Sequence, residues 1–194
     1  MSLRESANVV LSVPVTEALS APVLQALQRL ALKQQGPSRH RQPVAVIGPG
    51  DANEAECAAA YAVAHALAAA GMVIICGGRG GVMAAAARGA TDAGGMAVGI
   101  LPEEDDSNAN EWLSVAVPTG MGEMRNAIIA RSGVCLVAIG SNMGTLSEMA
   151  MGLKWGKPVF AMLGGIELPG AVRAGDVGDM LGKVLECLLT QRQK

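Results

Sequence analysis

From Pro43 onward the chain alternates short, wholly apolar runs with longer segments of helical character. The runs are VAVIG (44–48), MVIIC (72–76), MAVGIL (96–101), LSVAV (113–117), VCLVAIG (134–140) and PVFAML (158–163). None of them alternates apolar with polar residues, so none reserves a face for water. Strands of that kind are buried on both sides, as in parallel sheets. Helical segments between successive strands supply right-handed crossovers. The expected fold is a doubly wound α/β sandwich, a mainly parallel Rossmann-like sheet with helices on both faces in a single domain.

Composition narrows the function classes. A chain of 194 residues, 51% hydrophobic and 16% charged, buries a core without metal or disulfide staples. A net charge of −2 argues against bulk nucleic-acid binding, and 2% aromatics against a base-stacking platform. No pair of the cysteines at 57, 76, 135 and 187 has CxxC spacing, which reads as reduced thiols in a cytoplasmic protein. His40 and His65 stand far apart, so no metal site is expected. Residues 57–76 carry no formal charge over the length of a membrane span, but Gly71 divides a helix-favouring half from a strand-favouring half. A helix followed by a buried strand is expected there, and no membrane partner. Residues 1–42 read as an N-terminal extension, with NVVLSV as a strand and Thr16 to Gln35 as an amphipathic helix for packing or self-association. Residues 43–194 form the Rossmann-like unit.

In open parallel sheets, ligands bind beyond the carboxyl ends of the strands. The glycine clusters fall at those ends. Gly48-Pro49-Gly50 follows the first strand; its continuation has Asn53 where a dinucleotide fingerprint needs a third glycine, and a tight strand-to-helix turn explains it as well. The run Gly77-Gly78-Arg79-Gly80-Gly81 holds more glycine than a turn needs, with an arginine suited to phosphate. Thr119-Gly120 follows the fourth strand, and Ser141-Asn142-Met143-Gly144-Thr145 the fifth. Each loop leads into a helix N-terminus, where backbone N–H groups point at an anion. Candidate phosphate-binding residues are therefore Gly48, Gly50, Gly78, Arg79, Gly80, Gly81, Thr119, Gly120, Asn126, Ser141, Asn142, Gly144 and Thr145. No P-loop motif is present, which argues against an ordinary ATPase. Arg125 and Glu148 lie beside these loops as candidate catalytic residues, or as an ion pair that caps two helices. The acidic run 103–106 reads as a solvated loop, and His65 as a surface or interface residue.

The strings AVIGPG, CGGRGGVM, ARGATDAGG, VGILP, VPTGMGEMRNAIIA and MGTLSEMAMGLKWGKPV occur in order over residues 43–163. Together they resemble the Rossmann superfamily of Lonely Guy phosphoribohydrolases, the lysine decarboxylase-like group and DNA-processing protein A. The likeness is strongest to the nucleotide-binding subfamily that contains molybdenum cofactor carrier proteins. The hydrolase motifs, an M-x-x-R-type helix start and P-G-G-x-G-T-x-x-E, fall on Arg125 and Glu148. The resemblance implies phosphate or ribose binding by Arg125 and sugar-side chemistry by Glu148. Gly140-Ser141-Asn142 replaces P-G-G, which resembles the carriers and argues against hydrolysis. No lysine stands where a pyridoxal enzyme needs one: Lys154 and Lys157 lie past the glycine loop, so decarboxylase activity is not expected.

Two functions stay open. One is a carrier-like binding protein for a small phosphorylated ligand, a nucleotide or the molybdenum cofactor, with no cofactor required for its own action. The other is hydrolysis of the N-glycosidic bond of a nucleoside 5′-monophosphate. A homodimer or homotetramer is expected, built on the alanine helix 58–70, the leucines of the extension and the apolar helix 145–155.

Overall fold

The computed structural model describes residues 19–40 and 42–190; the strand read within NVVLSV, the first residues of the N-terminal helix and Gln191 lie outside them. The helices are α1 (Ala21–Gln35), α2 (Glu54–Ala69), α3 (Val82–Asp92), α4 (Asn126–Ser132), α5 (Met143–Lys154) and α6 (Val177–Thr190). The strands are β1 (Val44–Ile47), β2 (Ile74–Cys76), β3 (Ala97–Leu101), β4 (Val115–Pro118), β5 (Leu136–Ile139), β6 (Val159–Met162) and β7 (Val172–Arg173). They form one sheet in the order β4-β3-β2-β1-β5-β6-β7, with every neighbouring pair parallel. The expected single-domain, doubly wound architecture is what the chain adopts.

Burial on both faces explains the unbroken apolar runs of β1, β2, β3, β5 and β6; β4 departs from that expectation, because it lies at the sheet edge with Val115 42% and Val117 38% exposed. Val44 and Val46 point into a layer made with α1, α2, α3 and α6, whereas Ala45 and Ile47 point into one made with α4 and α5. Among the described residues, no helix is long and apolar enough to cross a membrane, and no disulfide joins the cysteines.

The alanine-rich α2 starts at a reciprocal cap. The Asn53 side chain accepts from the Glu56 N–H at 3.0 Å, and the Glu56 carboxylate accepts from the Asn53 N–H at 3.0 Å. Small residues then let α3 approach closely: a Cβ on Gly89 would lie 2.3 Å from the Tyr61 carbonyl oxygen. The smooth alanine surface is thus largely covered by the chain's own helices. His65, expected at a surface, is buried, because α2 is enclosed on most sides. Burial lowers its pKa, and its Nδ1 has no partner.

The helix read in the extension packs against α6. Leu27 and Leu30 are completely buried there. The Lys33 ammonium donates to the Leu188 carbonyl at 3.1 Å, and the His40 Nε2 lies 2.8 Å from the same oxygen. A carbonyl only accepts, so this ring nitrogen carries a proton. The leucines expected to seek a partner chain are in part already satisfied within this one.

Two other elements differ from expectation. The segment from Glu123 begins as a 3-10 turn, Gly122–Arg125, and becomes α-helical only at Asn126, because Gly122 adopts a positive φ of 57° and tightens the chain. Strand β7, two residues long between Ala171 and Ala174, has no apolar run to announce it.

Leu27→Ala should lower the unfolding free energy by about 2–5 kcal/mol in urea titrations, with one cooperative transition. An unchanged midpoint would mean that α1 is an appendage.

Candidate functional site

The chain winds outward from β1 to β4, then returns past three strands to β5. The switch point between β1 and β5 is where such sheets hold ligands. The return carries the 3-10 turn over the carboxyl ends of the strands and sets Arg125 behind Gly77. Glycine is needed there: a Cβ on Gly77 would lie 2.8 Å from Arg125 Nη2 and 2.6 Å from Met83 Sδ. At Gly48, a Cβ would stand 2.3 Å from the Ile139 carbonyl oxygen and 2.6 Å from Val82 Cγ1. Glycine therefore lets β1, β5 and α3 converge.

A cleft of about 160 Å³ opens at this convergence. Gly48 and Gly50 line it from the first loop, and Arg79 from the second. Arg125 and Asn126 enter from the return, and Asn142, Gly144, Thr145 and Glu148 from α5. Ile47, Gly77, Met83 and Glu123 also line it and were not singled out in the sequence. Gly77 is the first glycine of GGRGG and Glu123 stands two residues before Arg125, so position alone pointed to both; Ile47 and Met83 look like core residues.

The remaining candidates have other places. Gly78 and Gly81 take positive φ values of 76° and 60°. A Cβ on Gly78 would strike Leu101, and one on Gly81 the carbonyls of Pro49 and Gly50. A Cβ on Gly80 would lie 3.6 Å from the Gly50 carbonyl oxygen, in ordinary contact. The Thr119 hydroxyl donates to the Leu101 carbonyl at 2.7 Å, and the Gly120 N–H to the Glu103 carbonyl at 2.7 Å. These residues shape and anchor the loops. Ser141 lines a different cavity, between α5 and the loop before β7. Asn142 caps α5, its Oδ1 accepting from the Thr145 N–H at 2.8 Å and hydroxyl at 3.0 Å. Asn110, not anticipated, holds the glycine loop by donating to the carbonyls of Gly78 and Arg79 at 2.9 and 3.0 Å.

The two arginines differ. Arg79 is partly exposed and paired with Glu103, with Glu123 3.9 Å away. That contact draws Glu103 out of the solvated role read for its loop, and Arg79's hydrogen bond holds its carboxyl below the ordinary range. Arg125 is only 5% exposed. It donates to the Asn126 side chain and, at 3.4 Å, to the Gly77 carbonyl, while its Nε has no partner. Glu148, equally buried, approaches it only to 4.0 Å. Burial pushes the Glu148 carboxyl up to about 8, against the pull of Arg125. Burial thus biases the carboxyl towards its protonated form and weakens the charge it sets against Arg125. Cys76 lies beneath, its thiol pushed up to about 11 by burial, so it is no nucleophile. Lys157 donates to the Gly133 carbonyl, past the C-terminal end of α5.

The model of the SLOG cluster4 family matches residues 41–184. An uncharacterized protein of Archaeoglobus fulgidus is 42% identical over 119 residues, 61% of this chain and 78% of its own. Among solved structures, the molybdenum cofactor binding protein of Rippkaea orientalis superposes with a TM-score of 0.71 at 31% identity, over 77% of this chain and 99% of its own. The Moco carrier protein of Chlamydomonas reinhardtii does so with 0.71 at 30% identity, over 78% of this chain and 100% of its own.

The raised Glu148 pKa has a signed consequence. Below about pH 4.5 the group is protonated folded and unfolded alike; between there and pH 8 unfolding releases a proton, so stability falls as pH rises. Glu148→Gln should therefore gain on the wild type across that window, by on the order of 3–5 kcal/mol above pH 8. Denaturant midpoints at pH 5 and 8.5 test this; equal differences at both would show an ordinary carboxylate.

Proposed function

The chain belongs to the SLOG cluster4 family, and from that premise we propose that it is a carrier-like binding protein for a small phosphorylated molecule, a nucleotide or a molybdopterin-type cofactor. One observation carries the reading: a buried guanidinium at the floor of the cleft whose paired carboxyl is biased by burial towards its neutral form. An uncompensated buried charge is costly, and an anion is the natural group to offset it. Phosphate suits arginine's planar fork, and the first turn of α5 adds donors and a favourable dipole. The similarity to molybdenum cofactor carriers supports the same class of ligand.

The hydrolase reading draws on the same pair, Arg125 and Glu148, on one cleft wall. Stabilising a cationic sugar asks for an ionised carboxylate, and burial biases Glu148 towards its protonated form. Binding is therefore preferred. Incubation with AMP separates the two: free adenine released faster by the wild type than by Glu148→Ala would establish the hydrolase.

Calorimetry and thermal shift with nucleoside monophosphates and molybdenum cofactor test the proposal. A ligand at 100 times its Kd adds about 2.7 kcal/mol of stability. Arg125→Ala should weaken binding by roughly 30-fold or more. Affinity should fall as pH rises through 8, because an ionised Glu148 repels the phosphate, and Glu148→Gln should flatten that fall. Absence of any shift with every phosphorylated ligand would reject the proposal.

A further inference from the structure

The cleft over Arg125 is too small for a whole nucleotide. About 160 Å³ accommodates a phosphate with part of a sugar, whereas sites for larger ligands run to several hundred. A shallower depression of about 980 Å³ opens beside it and shares Glu123, Asn126, Asn142 and Gly144 as common walls. Its other lining is of a different kind, with Met124, Met143 and Met151 prominent. Met124 is 75% exposed and Met143 79%, more than any other large apolar side chain among the described residues. Neither packs into a core cluster, so the fold does not require them. Both are placed by the elements that place the polar groups. Met124 directly precedes Arg125 in the 3-10 turn, and Met143 is the first residue of α5, next to its Asn142 cap.

We infer that this methionine-lined depression seats the flat, uncharged aromatic ring of a ligand whose phosphate rests on Arg125. The inference builds on the phosphate-binding reading and adds the ring subsite and the residues that select for it. Methionine suits a ring: its flexible thioether adapts to a planar face, and sulfur–aromatic contacts are favourable. The depression adjoins the anion site along the shared walls, so one molecule can reach both. Glu123 on the shared wall disfavours a second anionic group on the ring side.

AMP and ribose 5-phosphate share the phosphate and the sugar but differ in the ring. Calorimetry on the full chain should find AMP binding at least about tenfold more tightly. The double variant Met124→Ser/Met143→Ser should lose about tenfold in AMP affinity and less than about twofold for ribose 5-phosphate. Both side chains are exposed, so an unchanged melting temperature is expected for the variant. With methyl-13C methionine, AMP but not ribose 5-phosphate should shift the Met124 and Met143 methyl signals by ring current. If AMP binds no more tightly than ribose 5-phosphate, or the variant weakens both alike, the ring subsite is wrong and the phosphate reading stands. If neither ligand binds, the ring subsite is wrong for nucleotides, and if molybdenum cofactor gives no thermal shift either, the phosphate reading fails with it.

Discussion

Burying Arg125 takes a guanidinium out of water, and the structure around it determines how that cost is met. Two contacts come from the chain itself, the Asn126 side chain and the Gly77 carbonyl, and neither carries a full charge. Among the described residues Glu148 is the one carboxylate paired with it, at 4.0 Å, and burial weakens its ionisation more than Arg125 strengthens it. The pair is therefore a poor salt bridge, which is why the reading proposed above assigns an anion to Arg125. A dianionic phosphate would replace what the protein withholds, and the proton on Glu148 keeps repulsion from that phosphate low.

The same group explains the glycines. Arginine is bulky, and the sheet edge where it sits is where β1, β5 and α3 converge. Gly77 leaves the volume that the guanidinium fills, and Gly48 lets the first loop and α3 close over the end of β5. These are steric requirements of the site's architecture before they are contacts with a ligand. Gly78, Gly80 and Gly81 serve the loop geometry that carries Arg79 to the rim, which is why a glycine-rich string marks the site although only some of its members line the cleft.

The sheet was legible because apolar runs bounded by glycine and proline favour strands: each of the six became one, five of them buried in the sheet and β4 exposed at its edge, where an apolar run says nothing of burial. Strand β7 escaped because two residues at an edge need no apolar pattern. That Arg125 and Glu148 would come to one cleft was legible from their place beside the glycine loops. Their relationship was not. Spacing along the chain is silent on how closely two charges approach in space, and on how burial shifts one of them. Asn110 and Glu103 escaped for a related reason: both sit in an acidic, polar loop that composition assigns to solvent, and only the topology brings that loop back over the second glycine turn.

Arg79 and Arg125 line one cleft with different charge partners. Arg79 already has Glu103, through a bond that also lowers the acid's pKa, and it remains largely in reach of water. Pairs of that kind are weak, because water screens them and side-chain entropy opposes them. On the proposed reading, an incoming phosphate would meet Arg125 as a fixed charge with only a distant, protonation-prone partner and Arg79 as one that must first be drawn from Glu103. The exchange costs little. It would also free the Glu103 carboxylate, whose Oε2 is buried without a partner, and loosen the loop that Asn110 pins to the glycine turn. Arg79 thus sits in a screened, exchangeable ion pair, whereas Arg125 is held by buried partners.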